Sequence, residues 1–488
     1  MNKIALISLV SIIFFFNFVS VNAPWCNMGG DDSFTVMDLP SGVNAENPSM
    51  QLQANSDPSS KYDTPKIVFE YNPGGDREIY FRQWNGFNWV NADGFAQETA
   101  SINVSKSPSF NSVEPSLALD GDGTPFIAWS EEDEDGWDIL LRKWNGSEWT
   151  DVYPEDGFTE DDLNVSSLDG GTAIQPSLAL DDSDTPYIAW REFDGTDYYI
   201  ALRKWNGSAW VEMSAGKLNV STKFPDPINN VKNPSLKIDS LGNPHVSWQE
   251  YDSANWDVVF RQWDGSDWVV AGQLDVSQTT GIAERPSLDI DSLNNYPAVA
   301  WEQNTGGGIA IYYIAFKKWN GSNWVDAAPG QGRVSGVTLN EDRYGNASLD
   351  INSEGIPFIA WTENVIIFPD PPTWNIVLKK WNGSSWEKIH EIMEPEPGNL
   401  VVGPANFASS PVLVLDSNNV AIVAWDMDEG IACKRYWEWC GVAENGFPEV
   451  SITSPVQGGG EFNALTQTVI DFDATITNTP AYEDCNYS

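Results

Sequence analysis

One phrase recurs along this chain and limits what it can fold into. Glu114-Pro-Ser-Leu-Ala-Leu-Asp120 leads to Pro125-Phe-Ile-Ala-Trp129, and then to Leu140-Leu-Arg-Lys-Trp-Asn-Gly-Ser-Glu-Trp149. Copies start near residues 47, 114, 175, 233, 285, 346 and 410. The Trp that precedes the turn falls at 84, 144, 205, 263, 319 and 381, in steps of 60, 61, 58, 56 and 62. Each copy reads as four strands. Strand A is Ser116–Asp120, strand B Pro125–Glu131, strand C Asp138–Trp144, and strand D begins at Trp149. Asn145-Gly146 is a hairpin signal, because both residues tolerate positive φ. Trp144 and Trp149 bracket that turn, where a cross-strand aromatic contact adds roughly 0.2–1 kcal/mol. Strands A and B are apolar on both faces, as sheets covered on both sides require.

After the first 21 residues no sustained 3.6-residue apolar period appears. A period near 60 made only of strands matches a four-stranded propeller blade. The expected fold is therefore all-β, a seven-bladed β-propeller of four-stranded antiparallel blades. Four copies end in a short strand: Ile102-Asn-Val-Ser105, Leu163-Asn-Val-Ser166, Leu218-Asn-Val-Ser221 and Leu274-Asp-Val-Ser277. The seventh copy lacks its outer hairpin, and Phe34-Thr-Val-Met-Asp38 stands ahead of the first copy in that slot. The N-terminal strand is thus expected to complete the last blade, leaving no free edge.

The ends differ in character. Residues 1–23 read as a secretory signal, one Lys before an apolar run to Val21, although Pro24 disfavours cleavage after Ala23 and an uncleaved anchor stays open. The propeller spans 24–446, and residues 447–488 read as two strands around Gly458-Gly-Gly460. Roughly 40 residues rarely hold a core alone, so a partial β-sandwich and a longer parent chain are expected. The four cysteines, 26, 433, 440 and 485, fit an exported chain in which disulfides persist. Cys26–Cys440 is the favoured bond and Cys433–Cys440 its rival. The protein is expected to be secreted or at the cell surface, a monomer within a longer chain.

With 26 basic and 70 acidic residues the net charge is −44, which repels nucleic acid and anionic membranes. Cations and neutral polymers such as glycans suit it better, and a solvated acidic surface is the plain alternative. No cofactor is expected. Calcium stays possible at Asp120-Gly-Asp-Gly123, although an Asx-turn explains those residues.

The Trp-Asn-Gly-Ser-x-Trp hairpin resembles the Asp-box, the bacterial-neuraminidase repeat, with Asn145 and its copies in place of the Asp. The Pro-Ser-Leu-Ala-Leu-Asp…Ile-Ala-Trp phrase is similar to exported propellers of the sialidase-like superfamily over about 400 residues. The turn also resembles the Trp-Asn-Gly-Ser repeats of seven-bladed bacterial lectins, and the C-terminal piece resembles the start of an immunoglobulin-like or polycystic-kidney-disease-type domain. The resemblance implies a fold and a structural hairpin on the face away from ligand; it carries over no catalytic residue. Sialidases need three arginines, but Arg82, Arg142, Arg203 and Arg261 repeat at one strand-C position, as scaffold does. Arg77, Arg191, Arg285, Arg333 and Arg343 lie on or near the variable loops and leave a triad open.

Those B–C loops combine acids with aromatic rings, which suits sugar hydroxyls and C–H faces. The candidate ligand residues are Glu131, Trp137, Glu192, Tyr198, Tyr199, Glu250, Trp256, Glu363 and Trp374. Glu131, Glu192, Glu250 and Glu363 each sit two residues after the strand-B Trp, where a scaffold role competes with a ring of carboxylates at the channel mouth. His245 replaces aromatic residues of other copies in strand B and reads as packing, so a Ser-His-Asp mechanism lacks a histidine. The leading function is a non-catalytic extracellular glycan- or surface-polymer-binding propeller; the alternatives are a sialidase-like hydrolase or lyase, and a spacer without ligand.

Overall fold

The computed structural model describes residues 25–27, 45–54, 63–72, 75–86, 88–95, 102–107, 109–152, 164–166, 171–221, 230–252, 254–304, 312–335, 344–365, 373–389, 399–400, 408–427, 430–436, 450–451 and 475–476. All regular structure among them is β, in antiparallel groups of strands that follow the sequence repeat; a single parallel pair, Thr172 with Trp137, joins the second and third groups into one larger sheet, and the groups are numbered below as sheets. The first sheet is Ala45–Gln53, Thr64–Tyr71, Glu78–Trp84 and Trp89–Val90. The second is Ser112–Leu119, Pro125–Glu132, Trp137–Trp144 and Trp149–Asp151. Strands A of the third to seventh sheets are Thr172–Leu180, Val231–Ile238, Ala283–Asp291, Tyr344–Ile351 and Ala408–Leu415. Each continues through strands B and C in the order of the chain. The turn tryptophans pair across strands C and D as the repeat implies: Trp144 faces Trp149 with centroids 5.3 Å apart at 63°.

A seven-fold backbone feature was not legible beforehand. Every strand A carries a register shift, for example between Val113 and Ser116. The residue inside it has positive φ: Asn47, Glu114, Gln175, Asn233, Arg285, Asn346 and Ser410 lie between 47° and 61°. None is glycine, so each bulge holds a left-handed conformation that costs of order 1–3 kcal/mol and needs surrounding support.

Support comes from side chains that bridge neighbouring sheets. Ser49, Ser116, Ser177, Ser235, Ser287 and Ser348 each accept the N–H of a leucine in the next strand A, at 2.9–3.0 Å. This is why Pro-Ser-Leu repeats: a hydroxyl spans a gap that a backbone ladder does not. Two residues on, Asp289 and Asp350 do the same for the N–H groups of Ile351 and Leu415, both at 2.7 Å. Substituting Ser235 by Ala is expected to destabilise by about 1–3 kcal/mol, because the Leu288 N–H loses its acceptor. Urea unfolding with an unchanged slope would read this directly.

Farther out, the strand-C cations are held too. Arg142 donates to the carbonyls of Val104 and Ser105 in the preceding sheet, Arg203 to Val165 and Ser166, and Arg261 to Val220. The scaffold role expected of this slot is what the geometry gives there. Buried apolar clusters occupy each junction between consecutive sheets. One more joins the seventh to the first, with Ile422, Ala424 and Cys433 packed beside Ile67 and Phe69. Trp129, Trp190, Trp248, Trp301, Trp361 and Trp425 are the largest side chains wholly inside these layers.

At the outer edge of the seventh sheet the partner is Trp25–Asn27, paired antiparallel with Lys434–Tyr436. The sequence reading passed over this segment; Phe34–Asp38, expected to close the sheet, lies outside the described residues. So do the signal segment, His390, Arg343 and Cys440. Cys433 is wholly buried, and burial pushes its thiol up to about 12. The chain divides into two units, 1–437 and 438–488, and the second contains the pair Val450–Ser451 with Thr475–Ile476. No helix among the described residues is long and apolar enough to cross a membrane.

Candidate functional site

Registers place the start of strand A, the end of strand B and the start of strand C at one end of each sheet: Ser112 faces Glu131, which faces Asp138. The bulges lie at this end, beside the variable B–C loops. Asn47, Glu114, Gln175, Asn233, Arg285, Asn346 and Ser410, one from each sheet, converge on a single cavity of about 460 Å³. The bulge residues on its wall are polar, with prolines between them, and several share one hydrogen-bond arrangement. In four sheets the residue after the strand-B aromatic accepts the N–H of the next sheet's bulge. Glu70 accepts from Glu114 at 2.7 Å, Ser130 from Gln175 at 3.1 Å, Gln249 from Arg285 at 3.1 Å and Glu302 from Asn346 at 2.5 Å. Thr362 and Asp426 occupy the same slot without making that bond: the buried Thr362 hydroxyl has no hydrogen-bond partner, and Asp426 accepts from the Ser409 hydroxyl of its own sheet.

The third sheet departs from that arrangement. Its slot holds Arg191, which has donors only. The orphaned Asn233 N–H is taken instead by the Gln175 side chain at 2.9 Å, whose amide nitrogen returns a bond to the Asn233 side chain at 2.8 Å. The Arg191 guanidinium lies 4.2 Å above the Tyr198 ring, and Lys232 lies 4.8 Å above Trp256. Arg285 makes two bonds to Glu302, at 2.8 and 2.9 Å, and Arg77 pairs with Glu70 at 3.0 Å. Burial pushes the carboxyls of Glu114 and Glu302 above their ordinary range.

Of the residues singled out from sequence, Tyr198 and Trp256 stand half-buried at this end, Tyr198 stacked on Phe193 with centroids 4.5 Å apart and Trp256 tilted at 52° against Tyr251 at 5.5 Å. Trp137 is half-buried at the start of strand C. Tyr199 is buried in the core between the second and third sheets. Three of the four carboxylates two residues after the tryptophans turn to those tryptophans rather than to the next sheet's loop. Glu131 and Glu250 accept the indole N–H of Trp129 and Trp248 at 2.6 and 2.9 Å, and Glu192 accepts that of Trp190. Glu363 is half-buried, and the Trp374 side chain lies outside the described residues. Arg333 lies 4.3 Å over Tyr313. The Asx-turn reading of the acidic A–B turns matches the bonds there: Asp120 accepts from Asp122 and Thr124 at 3.1 and 2.7 Å. No group of three or more metal-ligating side chains occurs among the described residues. Sequence reasoning missed the bulge residues other than Arg285. The available signal was the polar residue before every Pro-Ser, which varies from copy to copy.

No protein-family model matches the chain, and no curated protein does. Among solved structures it is similar to an ulvan lyase of a polysaccharide lyase family, at 12% identity and TM-score 0.46, over 80% of this chain and 94% of that one. It is similar to a Hadza microbial sialidase at 12% identity and TM-score 0.40, covering 76% and 73%. A third is the Penicillium chrysogenum α-L-arabinanase complexed with arabinobiose, at 12% identity and TM-score 0.39, covering 66% and 92%. At such values the chemistry of this chain has to be argued from its own residues.

Proposed function

We propose that this chain is an exported seven-bladed β-propeller, its ring closed by Trp25–Asn27, that binds a glycan without cleaving it at the end carrying the bulges and B–C loops. The observation that carries the reading is the convergence of polar side chains from seven sheets on one cavity, with Tyr198 and Trp256 held half-exposed at the same end. Asn, Gln and Ser groups match sugar hydroxyls in both donor and acceptor roles. Concave sites with a few converging polar groups are the usual ligand sites. The cluster shared by the seventh and first sheets supports closure.

Binding is favoured over hydrolysis because the carboxylates that brace the bulges are occupied. Glu70 and Glu302 hold backbone N–H groups and arginines, and releasing them to move protons would unseat the strained bulges. One observation favours a second reading, a sialidase-like hydrolase or lyase: Glu114, with its raised carboxyl, interacts with Arg191 beside Tyr198. The test is a panel of immobilised neutral and charged polysaccharides probed with the full chain, alongside a time course of chain length. Replacing Tyr198 and Trp256 together by Ala is expected to weaken retention about tenfold or more with little change in unfolding midpoint. Shortened polysaccharide would instead establish the enzyme. Retention by none of the panel would leave the spacer reading.

A further inference from the structure

Resting on the closed-ring reading, we infer that the cavity opens on one side, between the seventh and first sheets, with that junction pivoting about Asp63. The serine rungs carry the argument. They tie each sheet to the next, from Ser49 holding Leu117 to Ser348 holding Leu413. The rung that would tie the seventh sheet back to the first is missing. Its slot holds Val412, which pairs with Ala424 as Ser116 pairs with Ala128 and has no acceptor group. The N–H that this rung would hold is that of Met50, the counterpart of Leu117 in register.

The other polar groups at the cavity end turn away from this junction. Asp426 stands where Glu70, Gln249 and Glu302 brace the bulge of the next sheet, but both its oxygens accept from Ser409 of its own sheet. The Asn47 side chain donates to Glu70 of its own sheet at 2.7 Å. Ser410 accepts from Asn346 of the sixth sheet at 3.3 Å. Asn47 lines the cavity from the first sheet, Ser410 and Val412 from the seventh.

At the opposite end the same two sheets are pinned. The Asp63 carboxylate accepts the Ser417 N–H at 2.7 Å, and the Asp63 carbonyl accepts from Arg435 at 2.6 Å. Asp63 and Arg435 are both buried. Between the two ends lies an apolar layer that includes Met50, Ile67, Ile422 and Ala424. Apolar contact is non-directional, so it tolerates a tilt that a hydrogen bond of fixed geometry resists. A junction pinned at one end and unbraced at the other is a hinge. Opening it parts Asn47 from Ser410 and widens the cavity, while the braced junctions keep their spacing.

Hydrogen exchange of the full chain, read by mass spectrometry on strand-A peptides, tests this. Exchange of a protected amide reports the opening that exposes it. The slowest amides of the first-sheet peptide, which the strand-B ladder protects, are expected to exchange about tenfold faster than those of the second to sixth sheets, the effect of one hydrogen bond. Val412→Ser installs the rung used elsewhere, and Val412→Ala removes the same packing without it. Exchange in the first-sheet peptide should be about tenfold slower in the serine variant than in the alanine variant. Asp63→Ala should speed exchange in that peptide and around Ser417 together. Equal exchange in the strand-A peptides of the first six sheets would overturn the opening and leave the ring intact. Indistinguishable exchange in the two Val412 variants would also overturn it. Cys433, wholly buried in the shared layer, reports on the ring itself. Slow alkylation of its thiol by N-ethylmaleimide is expected; immediate alkylation in the native chain would overturn the closed ring and the opening together.

Discussion

Replacing Trp248 by Ala is expected to destabilise the protein by about 3–5 kcal/mol, the range for deleting a large aromatic side chain from a packed core. Trp248 is wholly buried in the layer between the third and fourth sheets, among Ala189, Leu202, Val231 and Val246. Its indole N–H donates to Glu250, itself buried. Alanine removes the packing on both sheets and leaves the carboxyl without its donor. Trp248→Phe separates the two effects: much of the packing stays and the donor goes, so about 1–3 kcal/mol should be lost. Urea unfolding of the pair measures both. A loss below about 1 kcal/mol for the alanine variant would mean that the tryptophan layers do not hold neighbouring sheets together.

Stability is expected to fall as pH rises from about 5 to 8, by on the order of a few kcal/mol. Burial pushes the Glu192 carboxyl up to about 8, with the Trp190 and Arg203 interactions opposing it. Glu250 goes up to about 7 for the same reason, opposed by Trp248 and Arg261. In the unfolded chain both titrate near 4.3. Between these limits the folded protein binds more protons than the unfolded one. Their contribution is therefore complete below the unfolded value and disappears as pH passes through 7 and 8. The protonated acids still accept the indole N–H, so acid does not break these bonds. Glu192→Gln with Glu250→Gln should flatten the profile. General repulsion among 70 acids acts in the same direction, but salt screens it, whereas burial survives salt. Unfolding midpoints at pH 5, 6.5 and 8 in 0.5 M NaCl distinguish the two; a flat or rising profile would refute the burial account.

The blades were legible because their signals are local. Asn-Gly and Asp-Gly turns, paired tryptophans and apolar strand B runs reappear at nearly equal spacing, and each matches an observed strand or turn. The bulges were not legible, because six of the seven bulge residues precede Pro, where a non-glycine residue is expected in extended backbone. In four of them the positive φ is supported by acceptors on a sheet 36 to 45 residues away in sequence, such as Glu70 holding Glu114. The Trp-x-Glu motif was visible, but not that Glu192 and Glu250 turn inward to their own tryptophans.

By itself the sequence determined the repeat, its strands and its hairpins, since backbone propensity and two-residue alternation act over a few residues. Only the tertiary structure decided which polar side chains brace neighbouring sheets. The physical reason is that a buried hydrogen bond between sheets depends on where two distant backbones meet. Arg191 shows the difference: in the chain it is one arginine among several, and in the fold it is the donor that interrupts a run of acceptors.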